Sequence, residues 1–230
     1  MKLIFFDIEI YVNLFIVVFF DPTIKEYITF TCWDNEEQPI NELSELKAYL
    51  KKNKNTYFVG YNSLAYDMNI LTQIVNKNYT NCKQIKEFND EVIAAEWPIY
   101  RENQLCNKTI DLMLVNNYGP RSAKSSSLKK LEFNLRKKKI QDLPYHFNDT
   151  IDTFKKVEEI IKYCKYDVEV TVDVFRFSKE LIKLRVEFGD FNNIDLLNST
   201  EPDIAKKYML KLLAESTGKD ENYIKKDLNS

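Results

Sequence analysis

Asp7 and Glu9 interrupt the apolar stretch FFDIEIY (residues 5–11), and packing alone does not call for them. A strand sends residues i and i+2 to the same face, so the two carboxylates emerge side by side. Two unit charges about 4 Å apart repel by roughly 4 kcal/mol at an effective dielectric near 20. Hard divalent cations want this donor set, oxygen ligands with surplus negative charge. Two further stretches carry acids. In GYNSLAYDMNIL (residues 60–71) a strand ending at Gly60 leads through Asn62 and Tyr66 to Asp67 at a helix start. Taken alone, Asp67 is an N-cap or first-turn acid complementing the helix dipole. In IIKYCKYDVEVTVDVF (residues 160–175), Tyr163 and Asp167 stand i and i+4, one turn apart on one helix face. That face abuts an apolar stripe of Ile160, Ile161, Cys164, Val168, Thr171 and Val172. Taken alone, this pair too reads as packing.

The elements that must position these groups follow from periodicity. Residues 2–10, 14–20 and 27–31 are rich in β-branched and aromatic types, with a turn signal at Asp21-Pro22, and predict an antiparallel meander of three strands. Leu43, Leu46 and Leu50 at helical spacing predict an amphipathic helix over 41–53. A short buried strand over 56–62 and a helix over 66–76 come next. Residues 77–107 read as polar and irregular, with a short helix near 91–96, and KTIDLMLV (108–115) reads as another strand. SSSLKKLEFNL (125–135) offers serine caps before an apolar period and predicts a helix. A long helix or helix pair occupies 153–188, and a separable helical tail runs from 191 to 230. Strands first, then alternating helix and strand, predict an α/β layout with a mixed sheet.

Composition narrows the class. The 230 residues suffice for one sizeable core, Gly and Pro are scarce, and the formal net charge is −2. Nucleic-acid contact therefore requires a local basic patch. Cys32, Cys82, Cys106 and Cys164 show no CxxC spacing and read as reduced thiols without a zinc site. The charge-free run from residue 10 to 20 is too short to span a bilayer, which needs about 20 apolar residues. The expectation is a soluble, cytoplasmic protein.

The three acid-bearing stretches occur together in an order that resembles the three motifs of the DEDD 3′–5′ exonucleases. These are Asp-x-Glu on a first strand, Asn-x(4)-Asp after a later strand, and Tyr-x(3)-Asp in a C-terminal helix. Tyr163 marks the DEDDy branch; the histidine branch would place His where Lys162 stands. FVGYNSLAYDMNIL, TIDLML, SLKKLE and EEIIKYCKYDVEVT resemble the N-terminal proofreading domain of phage-type family B DNA polymerases. LLNSTEPDIAKKYMLKLL resembles the segment leading from that domain toward the polymerase body.

The resemblance implies an RNase H-like mixed sheet, with antiparallel strands 1–3 and further parallel strands, flanked by helices. It implies an exonuclease domain over 1–190 and a tail over 191–230. It also implies two Mg²⁺ or Mn²⁺ ions and, as substrate, the 3′ end of single-stranded DNA. Asp7 would bridge both ions, Glu9 and Asp167 would complete the first, and Asp67 would hold the second through water. Tyr163 would orient the attacking water, Asn62 would hydrogen-bond the terminal nucleotide, and Tyr66 would contact the single strand. Ile10 departs from the small or hydroxylated residue often found after the second acid. A polymerase body or separate polymerase subunit is the implied partner, in a phage-infected cytoplasm if the chain is phage-encoded. An RNA exonuclease of the same fold and a non-catalytic binding module are the alternatives; the presence of all four acids and the tyrosine argues against the module.

Other residues carry weaker signals. Arg136 and the lysines of LRKKKI, with Lys124, Lys129 and Lys130, either track phosphates or form a solvated helix end. Asp111 reads as a strand-end turn residue or as support for the metal site. His146, Trp33 and Trp97 read as structural.

Overall fold

The computed structural model describes residues 2–95, 108–116, 118, 126–134, 136 and 141–228. Strands β1 (Leu3–Ile10), β2 (Leu14–Asp21) and β3 (Glu26–Trp33) form the expected antiparallel meander. A two-residue β4 (Ile40–Asn41) pairs antiparallel with β3 and was not visible in the sequence. After helix α1 (Leu43–Lys52), β5 (Tyr57–Gly60) pairs parallel with β1. β6 (Thr109–Asp111) then pairs parallel with β5, completing a six-stranded mixed sheet in the order β4-β3-β2-β1-β5-β6. This is the α/β, RNase H-like layout expected of the sequence.

The pleat divides the core into two. Even-numbered residues of β1 (Ile4, Phe6, Ile8, Ile10) pack under α1, α2 (Asp67–Asn76) and α3 (Cys82–Ala94). Odd-numbered Phe5 and Tyr11 face the other side, with Ile16 and Val18 of β2. That side is covered by α4 (Leu112–Val115), α6 (Phe154–Phe177) and α7 (Lys179–Asn192). Thr153 caps α6 by accepting from the Lys156 N–H. The stripe Val157, Ile160, Cys164 and Val168, wholly buried, presses α6 onto β1 and β2.

Two local expectations change and a third is settled between its alternatives. The helix in the 77–107 stretch is a 13-residue α3, Cys82–Ala94, rather than a short helix near 91–96. The apolar period Cys82, Ile85, Phe88, Val92 explains it, and Asn81 caps it by accepting from the Gln84 N–H. KTIDLMLV is strand only to Asp111, whose side chain accepts the Met113 N–H and turns the chain into α4. The 153–188 pattern is a pair, α6 and α7, broken at Ser178.

α5 (Leu128–Asn134) lies within its predicted range. α8 (Glu201–Thr217) and α9 (Glu221–Leu228) make up the tail. The segment before α8 closes the sheet edge: the Asn198 amide accepts the Asp111 N–H at 2.8 Å and donates to the Thr109 carbonyl at 2.7 Å. Buried Arg185 of α7 holds the same segment by donating to the Ser199 carbonyl at 2.9 Å. Trp33 is buried and donates to the Ile151 carbonyl, as a packing residue should. His146 lies exposed against Phe147. Trp97, Cys106, Lys124 and the three lysines of 137–139 lie outside the described residues. No helix among the described residues is long and apolar enough to cross a membrane.

Candidate metal centre

Asp7 and Glu9 stand opposite Val18 and Ile16 of β2, on the face that α6 covers. α6 crosses β1 with Cys164 directly behind Asp7; the thiol lies 3.4 Å from the Asp7 carbonyl and 3.7 Å from its carboxylate. One helical step on, Asp167 joins them, and carboxylate oxygens of Asp7, Glu9 and Asp167 lie within 4.8 Å of one another. All three are only partly exposed.

Asp67 arrives from the opposite layer. β5 pairs with β1 only through Phe5, so the C-terminal half of β1 has no parallel neighbour. Asp67, buried at the first turn of α2, lies near enough for the Ile8 backbone, together with its own, to lower its carboxyl pKa against the pull of burial. Asp67 is thus a first-turn helix acid whose charge acts on Asp7 and Glu9, outside the three carboxylates that lie within 4.8 Å of one another. The site sits where β1 runs on past the carboxyl end of β5, with Asp7 and Glu9 on the unpaired stretch of that parallel edge.

The turn between β5 and α2 is held from beneath. Asp111, 1% exposed, accepts the N–H groups of Asn62 (2.9 Å), Leu64 (3.0 Å) and Met113 (3.0 Å). It is therefore an organiser of the loop that carries Asn62 and Asp67. Burial pushes its pKa up to about 6 against the pull of those donors. Asn62 takes the left-handed conformation (φ 57°), which Asn tolerates better than most residues. Its Oδ1 is buried with no hydrogen-bond partner among the described residues. Gly60 permits the close turn, since a Cβ there would meet the Ser63 Cβ at 2.6 Å. Tyr66 is half-buried, and its hydroxyl donates to Asn89 of α3 at 2.5 Å.

Burial and mutual repulsion dominate the electrostatics. Desolvation, then Asp67, Asp167 and Glu9, raise Asp7 well above the carboxylate range. Glu9 is raised likewise by burial and by Asp167 and Asp67, with Lys129 opposing. Asp67 and Asp167 are each pushed from 3.8 to about 7, chiefly by burial. Hydrogen bonding from Tyr163 favours the Asp167 carboxylate. The Tyr163 hydroxyl itself is driven far above its ordinary range by burial and by Asp167 and Glu9. It is a fixed donor and cannot act as a base near neutral pH.

The donor set fits a hard divalent cation: all-carboxylate, clustered, partly open to solvent and costly without a counter-ion. Asp7, Glu9 and Asp167 could hold one ion, and Asp7 with Asp67 a second.

Two contributors were not singled out as site residues. Lys129 of α5 brings positive charge to bear on Glu9 and Asp167 while bridging Asp142 at 3.1 Å. Glu132, 1% exposed, accepts the Tyr166 hydroxyl at 2.7 Å and raises Asp167. Its place four residues after Leu128, on the apolar side of SLKKLEFNL, was the available signal.

No protein-family model and no curated protein matches the sequence. Among solved structures, the fold is similar to the family B DNA polymerase of the hyperthermophilic archaeon Pyrobaculum calidifontis, with TM-score 0.51 and 14% identity. The likeness covers 85% of this chain but 26% of that polymerase, so the chain spans about a quarter of its neighbour's length. At that identity the likeness establishes the fold.

Proposed function

We propose that this chain is a metal-dependent 3′–5′ exonuclease of the DEDDy type acting on single-stranded DNA, as the proofreading part of a family B polymerase or a free-standing relative. The observation that carries the reading is the convergence of Asp7, Glu9 and Asp167 within 4.8 Å, with Asp67 and Tyr163 against them. Likeness in fold to a DNA polymerase supports it. Residues 1–190 carry the activity in this reading, and 191–230 lead toward a polymerase body.

Hydrolysis forms a bond from water oxygen to phosphorus and breaks the bond to the leaving 3′-oxygen. Two divalent cations here would activate the water, neutralise the phosphate and stabilise the leaving oxygen. Asp7, Glu9 and Asp167 would hold one cation, and Asp67 with Asp7 would hold the other. Tyr163 stays protonated and donates, orienting the attacking water. Asn62 offers its unpartnered Oδ1 to the terminal nucleotide. Tyr66 borders the single strand with its ring, its hydroxyl anchored on Asn89. Lys129 lies where a phosphate could replace Asp142 as its partner.

The test is degradation of 5′-labelled single-stranded DNA and RNA, with Mg²⁺ or with EDTA. Metal-dependent shortening of DNA is expected. Shortening of RNA alone would move the reading to an RNA exonuclease. Binding without cleavage of either, by folded protein supplied with metal, would indicate a non-catalytic module.

A further inference from the structure

On the opposite face of the sheet from the carboxylates, a second donor cluster joins β3 to α3. Cys32 near the end of β3 and Cys82 at the start of α3 are fifty residues apart in sequence, yet their sulfurs lie 3.2 Å apart. Asp34 completes the group, with one donor atom from each residue within 4.8 Å of the others. The thiols are buried, and the exposed Asp34 carboxylate forms the solvent edge.

We propose that Cys32, Asp34 and Cys82 form a binding site for a thiophilic divalent cation of the Zn²⁺ class, distinct from the carboxylate centre. Each donor sits on fixed backbone. Asp34 exchanges backbone and side-chain hydrogen bonds with Asn13 (2.9 Å each), and its carboxylate accepts the Cys82 N–H at 3.2 Å. Asn81 caps α3 directly before Cys82, which fixes Cys82 at the helix N-terminus. The hydrogen bond to Cys32, burial and the Asp34 charge raise its pKa, so without a cation the thiol keeps its proton. Tetrahedral zinc with bonds to sulfur of about 2.3 Å needs its sulfurs roughly 3.8 Å apart, about half an ångström more than here. A disulfide, at about 2.05 Å, would require closure by more than an ångström.

Two soft donors and one carboxylate select Zn²⁺ over Mg²⁺, the reverse of the all-oxygen centre. Binding forms two zinc–sulfur bonds and one zinc–oxygen bond, and the two thiol protons go to solvent. Water at the exposed edge supplies the fourth ligand. The consequence is a clamp between the end of β3 and the start of α3, added to the hydrogen bonds from the Cys82 N–H to Asp34 and from the Cys82 thiol to the Cys32 carbonyl. Because the ion binds the folded chain, it raises stability.

Cobalt(II) titration of the reduced, chelator-stripped full chain reads thiolate ligation alone, through sulfur-to-cobalt charge-transfer absorption. The expected result is a band that saturates at one equivalent, is displaced by Zn²⁺ and persists in Asp7→Ala/Glu9→Ala. Cys82→Ser should abolish it. Asp34→Asn, an exposed change that keeps an acceptor for the Cys82 N–H, should weaken cobalt binding by at least about tenfold. No band from folded, reduced wild type would overturn the proposal. So would a band unchanged in both Cys82→Ser and Asp34→Asn. Should Cys82→Ser not fold, Asp34→Asn alone decides: weakened binding supports the site, and unchanged binding overturns it.

Discussion

Replacing Asp167 with Asn should stabilise the metal-free protein at pH 8 and weaken it, relative to wild type, once metal is present. The Asp167 carboxyl is pushed from 3.8 to about 7 by burial, with Glu132 adding and Tyr163 and Lys129 opposing. Between those pH values the folded state binds more protons than the unfolded state. Wild-type stability therefore falls as pH rises through the window and stays low above it. At about 1.4 kcal/mol per tenfold change in proton affinity, the full displacement corresponds to about 4 kcal/mol. Asp167 is partly exposed and can lean toward water, so we expect Asn to recover about 1–3 kcal/mol at pH 8. Asn still accepts from Tyr163. For a chain of this length that gain raises Tm by about 2–12 °C. Thermal melts in EDTA at pH 5 and pH 8, with and without Mn²⁺, measure it. The gain should shrink toward zero as pH falls to 4, and Mn²⁺ should raise wild-type Tm more than that of the variant. A variant less stable than wild type at pH 8 in EDTA would refute the repulsion argument, because the carboxylate would then be favourable without metal.

Tyr163→Phe should lower the rate of DNA hydrolysis while leaving the Mn²⁺-induced rise in Tm intact; loss of that rise would mean the tyrosine supports ligation. Asp111→Ala removes the acceptor of three N–H groups, the buried one of Met113 and the part-buried ones of Asn62 and Leu64. At about 1–3 kcal/mol each when unsatisfied, it should cost about 3 kcal/mol or more in urea melts. Gly60→Ala drives a Cβ into Ser63 and toward the Phe6 ring (3.2 Å), so the Asn62–Asp67 loop must shift. We expect about 1–3 kcal/mol of destabilisation and, from misplacing Asp67 by about 1 Å, an activity loss of about 10²-fold. Full activity in Gly60→Ala would show that the loop position is not critical.

The sequence was most legible where side-chain periodicity and chemistry coincide. Alternation in β1 placed Asp7 and Glu9 on one face, and the i, i+4 spacing of Tyr163 and Asp167 placed both beside the α6 stripe that packs there. Legibility failed where a side chain overrides local propensity. Asp111 ends β6 by capping α4, and no period of KTIDLMLV announces that. In α3, the polar Asn89, Asp90 and Glu91 masked an apolar period that the structure buries. β4 is two residues long and owes its place to pairing with β3. Cys32 and Cys82 meet only because β3 and α3 do, and sequence spacing carries no trace of it. The entry of Asp67 from the opposite layer depends on β5 ending at Gly60 while β1 runs on to Ile10, a fact of strand lengths.

The central claim is that these acids hold metal to remove nucleotides from a 3′ end. The most direct measurement compares 5′-labelled and 3′-labelled copies of one single-stranded DNA, incubated with Mn²⁺, for wild type and Asp7→Ala/Glu9→Ala. The account predicts a stepwise ladder from the 5′-labelled strand and immediate release of labelled mononucleotide from the 3′-labelled strand. Both should be absent in EDTA and in the variant. Internal cuts, persistence of either product in the folded variant, or no cleavage by folded wild type would contradict it.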